Sequence, residues 1–269
     1  MAVVNFTGLV SGLDTKALVA SLMQIERRPL QLLQDKQSRL RKVGDALREI
    51  NTALSSLRDK LQALKTLDSD PTKAAAQITD FVNAFNAVLD KIATHTAYNP
   101  QTRQAGVLLG ESLVQGMPDR LFRLATSPVP SLTGSIRSLA DIGIVVGAPV
   151  NGQVRLQVDQ AKLTAALQNN RPDVQALFAN ADGLVASLSG YIDSLIGPGG
   201  ILVNRVSGID QQVADLGRRI TDMEERLTRR QQFLEKQFTQ MELALQRLQQ
   251  QQGSLGGLAA QLLGSTMLR

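Results

Sequence analysis

Residues 40–64 read LRKVGDALREINTALSSLRDKLQAL, and residues 202–227 read LVNRVSGIDQQVADLGRRITDMEERL. In the first stretch Leu40, Val43, Leu47, Ile50, Leu54, Leu57, Leu61 and Leu64 recur at alternating spacings of three and four. In the second, Leu202, Val206, Ile209, Val213, Leu216, Ile220, Met223 and Leu227 do the same. This spacing lays one narrow apolar seam along a long helix, and such a seam needs another helix to cover it. Two seams near opposite ends predict a chain that folds back and pairs its own ends, or pairs them with neighbouring copies. The expected fold class is mainly α, with long N- and C-terminal helices forming a coiled coil around a central α+β domain.

Working outward, the C-terminal seam leaves its frame after Leu227 and resumes in a shifted one through Leu234, Phe238, Met241, Leu245 and Leu248, as an inserted stutter would make it do. The helix is expected to end near Gln252, and the glycine-rich tail from Gly253 to be mobile until a partner covers Leu258, Leu262 and Leu263. At the other end, residues 1–13 have apolar side chains (Val4, Phe6, Leu9, Leu13) but no helical period, and read as a flexible arm. Asp14 or Thr15 can cap the helix that follows. Leu18, Leu22 and Ile25 mark one face of that helix until Pro29 interrupts it, because Arg28 before a proline is disfavoured in helical geometry. The expected organisation joins an arm and first helix (1–39) to a C-terminal helix and tail (228–269) as a leg, with a compact domain over 40–227.

Inside that domain, residues 66–71 (TLDSDP) read as a short polar linker. An amphipathic helix to about Thr94 follows, with Ile78, Phe81, Val82, Phe85, Val88, Leu89 and Ile92 inward, and another helix is expected over 111–125. Between 139 and 158 the period changes to two: Ile142, Ile144 and Val146 alternate before Asn151-Gly152, and Val154, Leu156 and Val158 after it, which predicts a hairpin. Asp159 caps a short helix to Leu167, Pro172 opens another to Phe178, and a helix at 183–196 ends at Gly197-Pro198-Gly199-Gly200.

Composition narrows the chemistry. There is no cysteine, so disulfides, thiolate metal sites and a cysteine nucleophile are excluded. The single histidine, His95, falls near a helix end and reads as solvated or a cap, and no multi-ligand metal spacing or glycine-rich phosphate loop is present. No catalytic, cofactor-binding or metal-binding residues are therefore assigned, and the chain is not read as an enzyme. Lys and Arg exceed Asp and Glu by eleven to eight over residues 1–70 and by nine to seven over 201–269, with nine of each between. Mixed signs beside a heptad seam are coiled-coil flanks, not the unbroken basic face of a nucleic-acid binder. No run approaches the roughly 18 apolar residues of a membrane span. The N-terminus has no basic region ahead of an apolar core, so a cleaved secretory signal is not expected.

Several stretches resemble one family. Gly8-Leu9-Val10-Ser11-Gly12-Leu13-Asp14-Thr15, Leu18-Val19, Leu22-Met23 and Glu26-Arg27-Arg28-Pro29-Leu30 are similar to the opening of flagellar filament-capping proteins, also called hook-associated protein 2. Phe81-Val82-Asn83-Ala84-Phe85-Asn86, Ser138-Leu139-Ala140-Asp141-Ile142-Gly143-Ile144 with Asn151-Gly152, and Leu234-Glu235-Lys236-Gln237-Phe238-Thr239-Gln240-Met241-Glu242 resemble later stretches, in the family's order. The resemblance implies a secreted structural protein of the bacterial flagellum. It would form a homo-oligomeric (pentameric) cap at the distal, extracellular filament tip and pass through type III export. Its implied partners are flagellin, the hook-filament junction proteins and an export chaperone, with no cofactor, nucleic acid or membrane insertion. The long variable insertion that the resemblance places after the N-terminal helix is replaced here by residues 66–71.

Overall fold

The computed structural model describes the backbone of residues 14–149 and 153–266, and side chains up to Gly253. Nine helices and two small hairpins follow one another among these residues: α1 Thr15–Glu26, α2 Arg28–Ala63, α3 Pro71–Thr96, β1 Tyr98–Asn99, β2 Gln104–Ala105, α4 Ser112–Gln115, α5 Met117–Thr126, β3 Ile144–Val146, β4 Leu156–Val158, α6 Gln160–Asn169, α7 Arg171–Ala179, α8 Leu184–Ile196 and α9 Ile201–Thr266. The fold is mainly α with a central α+β region. Two compact units can be distinguished, one of Met1–Gln37 with Ala214–Arg269 and one of Ser38–Val213.

The larger unit is built on the α2 seam. Leu47, Ile50, Leu54, Leu57, Leu61 and Leu64 have no exposed surface, and Leu40 and Val43 are partly buried beside them. α3 turns a second row inward, from Ile78 through Phe81, Val82, Phe85, Val88 and Leu89 to Ile92. Phe85 meets Phe81 and Phe122 edge to face, with centroids 6.1 and 5.5 Å apart, an arrangement aromatic rings favour. Side chains from α5, α6, α7 and α8 close the same core, and Leu202 and Ile209 of α9 join it. Arg48 pairs with both Asp45 and Asp210, so α2 and α9 are also bridged at their surface.

The hairpin β3–β4 pairs antiparallel in the register Ile144↔Val158, Val145↔Gln157, Val146↔Leu156. Its strands are shorter than the alternation predicts. Ile142 closes a 3-10 turn (Leu139–Ile142) instead of entering β3, Val154 precedes β4, and Val146 is exposed. The cause is local. Asp141 accepts from the backbone of Arg137 and Ser138 and from the Ser138 hydroxyl, which winds the chain, and Gly143 ends the turn at φ 85°. The Asn151-Gly152 turn lies outside the described residues. A side chain supplies the third rung of this sheet: Asn86 of α3 donates Nδ2 to Leu156 O and accepts Leu156 N on Oδ1, both at 2.9 Å.

Three further features depart from the sequence reading. The helix expected over 111–125 is two, α4 and α5, because Pro118 near the start of α5 cannot donate into a continuous helix. A hairpin β1–β2 follows α3, where Asn99 Oδ1 accepts from Gln101 N and Thr102 N and Arg103 takes φ 54°. Asn99-Pro100 was its turn signal. The chain returns so closely that a Cβ on Gly106 would lie 2.2 Å from His95 O. Finally, α9 continues past Gly253 to Thr266. Each interior glycine costs about 1 kcal/mol relative to alanine, but the intervening leucines and alanines are strong helix formers.

Two outcomes are expected. Asn86→Ala leaves the partly buried N–H and C=O of Leu156 without their partner and should lower unfolding free energy by about 2–4 kcal/mol in urea titration. Besides Glu49, three carboxyls are held below the usual range. Asp70 is lowered by the Thr72 amide and Asp182 by the Ser131 hydroxyl; burial pushes Asp141 up, but the hydrogen bonds from Arg137 and Ser138 outweigh it. A depressed folded-state pKa means the unfolded chain takes up protons first. Stability should be level above about pH 5 and fall as pH drops below about 4, read as the urea midpoint against pH.

Candidate assembly surface

The smaller unit consists of α1, the first residues of α2 and most of α9. Asp14 accepts the Ala17 amide at 2.9 Å and starts α1. The break before Pro29 is confined to Arg27, between α1 and α2. α9 runs antiparallel to this pair: Arg230 meets Glu26, while a Cβ on Gly217 would lie 3.3 Å from Gln37 Nε2.

The unit's core is small. Val19 and Met23 of α1 are buried with Leu227 and Leu234 of α9, and Leu30, Met223 and Phe238 pack partly against them. Arg230 Nε donates to Glu26 Oε1 at 3.0 Å, and its guanidinium stands 5.8 Å from the Phe233 ring centroid. Such exposed pairs contribute about 0–1 kcal/mol, so the four buried side chains hold the unit together.

α1 uses a different face from the one the sequence marked. Leu18, Leu22 and Ile25 are exposed at 47%, 40% and 60%, whereas Thr15, Val19 and Met23 are buried. The two rows differ by one position, a rotation of about 100° on a helix. Both rows are apolar from Leu18 to Met23, so periodicity alone could not choose between them; packing on Leu227 and Leu234 does. Leu32, at the start of α2, is exposed at 69%.

The coiled-coil residues singled out by spacing fall into three groups. The α2 row from Leu47 to Leu64 lies in the many-helix core of the larger unit, where Leu202 and Ile209 are buried and Val206 and Val213 partly so. In the smaller unit Leu216, Leu227 and Leu234 are buried, and Ile220, Met223, Phe238 and Leu245 are intermediate. Met241 and Leu248 are exposed. The side chains of Val4, Phe6, Leu9, Leu13, Leu258, Leu262 and Leu263 lie outside the described residues.

Elsewhere the chemistry is sparse. Among the described residues no group of three or more His, Asp or Glu is placed to hold a metal ion, and no helix is long and apolar enough to cross a membrane. His95 Nε2 stands 3.2 Å from Glu49 Oε2, which also accepts Lys91 Nζ at 2.9 Å. The Lys91 bond first, then His95, holds the Glu49 carboxyl below its usual range. A cavity of about 220 Å³ is lined by Lys65, Phe178, Asn180, Val185, Ser189 and three alanines, with no carboxylate or imidazole to act as acid or base.

Leu234→Ala is expected to weaken the smaller unit by about 2–3 kcal/mol, whereas Leu22→Ala stays within about 0.5 kcal/mol. Denaturant unfolding followed by a probe placed on α1 distinguishes the two.

The family described as flagellar hook-associated protein 2 C-terminus matches residues 35–250. Flagellar hook-associated protein 2 of Escherichia coli K12 is 35% identical over 115 residues, covering 40% of this chain and 24% of that protein. The Vibrio cholerae protein of the same name is 26% identical over 143 residues, covering 52% and 21%. The chain thus spans about a quarter of the length of the curated relatives it matches. Among solved structures, the flagellar cap protein FliD D1-D2-D3 domains from Escherichia coli align with a TM-score of 0.44 and 32% identity, over 52% of this chain and 37% of that one.

Proposed function

The chain belongs to the flagellar hook-associated protein 2 family, and we propose that it is a structural subunit of the cap at the distal end of the bacterial flagellar filament. Copies associate into a homo-oligomeric ring, a pentamer by the resemblance, outside the cell. The ring retains flagellin emerging from the export channel and promotes its folding and insertion. The subunits take the same type III route with an export chaperone, and meet the hook-filament junction proteins before the filament grows.

The observation that supports this reading is the open apolar row Leu18, Leu22, Ile25 and Leu32 beside the small packed core of the same unit. Covering one such side chain fully stabilises a contact by about 1.5–3 kcal/mol. A few of them, less the ordering cost of the partner, make a contact that forms and releases, which a cap displaced by each added subunit requires. The leg is α1 and the first turns of α2 against the later part of α9, and residues 1–13 and 253–269 are assigned to flagellin or neighbouring subunits.

A generic coiled-coil scaffold would also show heptad seams, but has no need of Gly8–Thr15 or of Gln237-Phe238-Thr239-Gln240-Met241-Glu242 in those positions. Deleting the gene should leave cells without filaments and with flagellin shed into the medium; intact filaments on such cells would overturn the cap reading. In the complemented strain, Leu22→Asp with Ile25→Asp should abolish swimming while the purified protein keeps its helical circular dichroism. Normal swimming would remove α1 from the contact surface.

A further inference from the structure

The connection between α2 and α3, residues 64–70, has the length and polarity of a free linker, and the resemblance places the extra chain of longer members there. Its backbone is nevertheless fastened by side chains from two other places. Gln175 of α7 donates Nε2 to Lys65 O at 2.7 Å and accepts Leu67 N on Oε1 at 2.8 Å. Gln77 of α3 accepts Asp68 N at 2.9 Å. Arg171, the first residue of α7, donates Nη2 to Leu67 O at 2.8 Å and to Asp68 O at 3.0 Å, and Nε to Asp68 O at 3.3 Å. Asp68 Oδ1 then accepts Asp70 N, and Asp70 Oδ1 accepts Thr72 N to begin α3. Leu67 is 6% exposed and belongs to the core.

We infer that this connection is a clasped elbow in which Arg171, Gln175 and Gln77 are positioning residues for the backbone of residues 65–68, and that it is a finished surface of this chain, not an open socket for additional chain.

The warrant is one of matching. Exposed loop backbone is ordinarily satisfied by water, and holding a long Arg or Gln side chain in one rotamer costs up to roughly 1.5–2 kcal/mol. Three such side chains kept in place against that cost mean that the loop geometry and its partners are mutually specified. Arg171 suits the position further. Its rigid planar fork holds Asp68 O from both Nε and Nη2 while Nη2 also reaches Leu67 O, so a single side-chain orientation serves all three bonds. Gln175 offers one donor and one acceptor to the elbow, the rung Asn86 supplies to β4. The buried Leu67 between these bonds fixes their depth.

Residue-resolved amide hydrogen exchange on the full chain tests the inference, and it reads the elbow whatever the protein does on a filament. The Leu67 and Asp68 amides should exchange at least about 100-fold more slowly than in an unfolded chain, as amides in closed structure do. Gln175→Ala should release Leu67 while leaving Asp68 protected, and Gln77→Ala should do the reverse. Exchange of both amides at unfolded-chain rates in the unsubstituted protein would overturn the inference. So would Leu67 remaining protected in a folded Gln175→Ala protein. If either variant fails to fold, the rates in the unsubstituted protein still decide.

Discussion

The larger unit depends on the complete removal of one helical row from water. Leu47, Ile50, Leu54, Leu57, Leu61 and Leu64 keep no exposed surface, and no single partner helix could achieve that. A two-stranded coiled coil leaves its seam flanked by solvent, whereas full enclosure needs helices on several sides. The long α3 and the shorter α5, α6, α7 and α8 supply those sides, and the β3–β4 hairpin seats Ile144 and Leu156 in the same core. With few aromatic side chains, ridges of Leu, Ile and Val do this work, and Phe81, Phe85, Phe122 and Phe178 fill the gaps they leave.

The legible parts of the chain were those governed by local rules. The caps at Asp14 and Asp159, the break before Pro29, the inward face of α3 and the Gly197–Gly200 stop all follow from neighbouring residues. The illegible parts depend on distant partners. Nothing near Val19 distinguishes its row from that of Leu18; the choice is made by Leu227 and Leu234, more than 200 positions away. The polarity of residues 66–71 read as looseness because their hydrogen-bond partners on α7 lie about a hundred positions downstream. Pro118, by contrast, was a local stop signal inside an apolar pattern, and periodicity concealed it.

The two units divide their tasks by how much they bury. The larger spends its apolar residues on its own core, although Tyr98, Val107, Leu109, Val145, Val146 and Ile201 stay exposed. The smaller, with five buried apolar side chains among the described residues, leaves eight large ones exposed there, among them Leu18, Leu22, Ile25 and Leu32. Small cores open at low free energy, and surfaces that take partners are drawn from such regions. Buried and exposed apolar surface thus concentrate in different parts of one chain.

Asn86 and Gln175 use an amide side chain where a sheet would use another strand. Asn86 lies 70 positions from Leu156, and Gln175 lies 108 from Leu67. Each bond closes a long loop and yields nothing until the segments it joins, α3 with β4 and α7 with the 64–70 connection, have docked. Bonds that form only after such docking would govern how fast the native protein comes apart more than how fast it forms. A chain that reached its destination unfolded would gain its helices first and lose its freedom to unravel last, when two side-chain amides find the backbone.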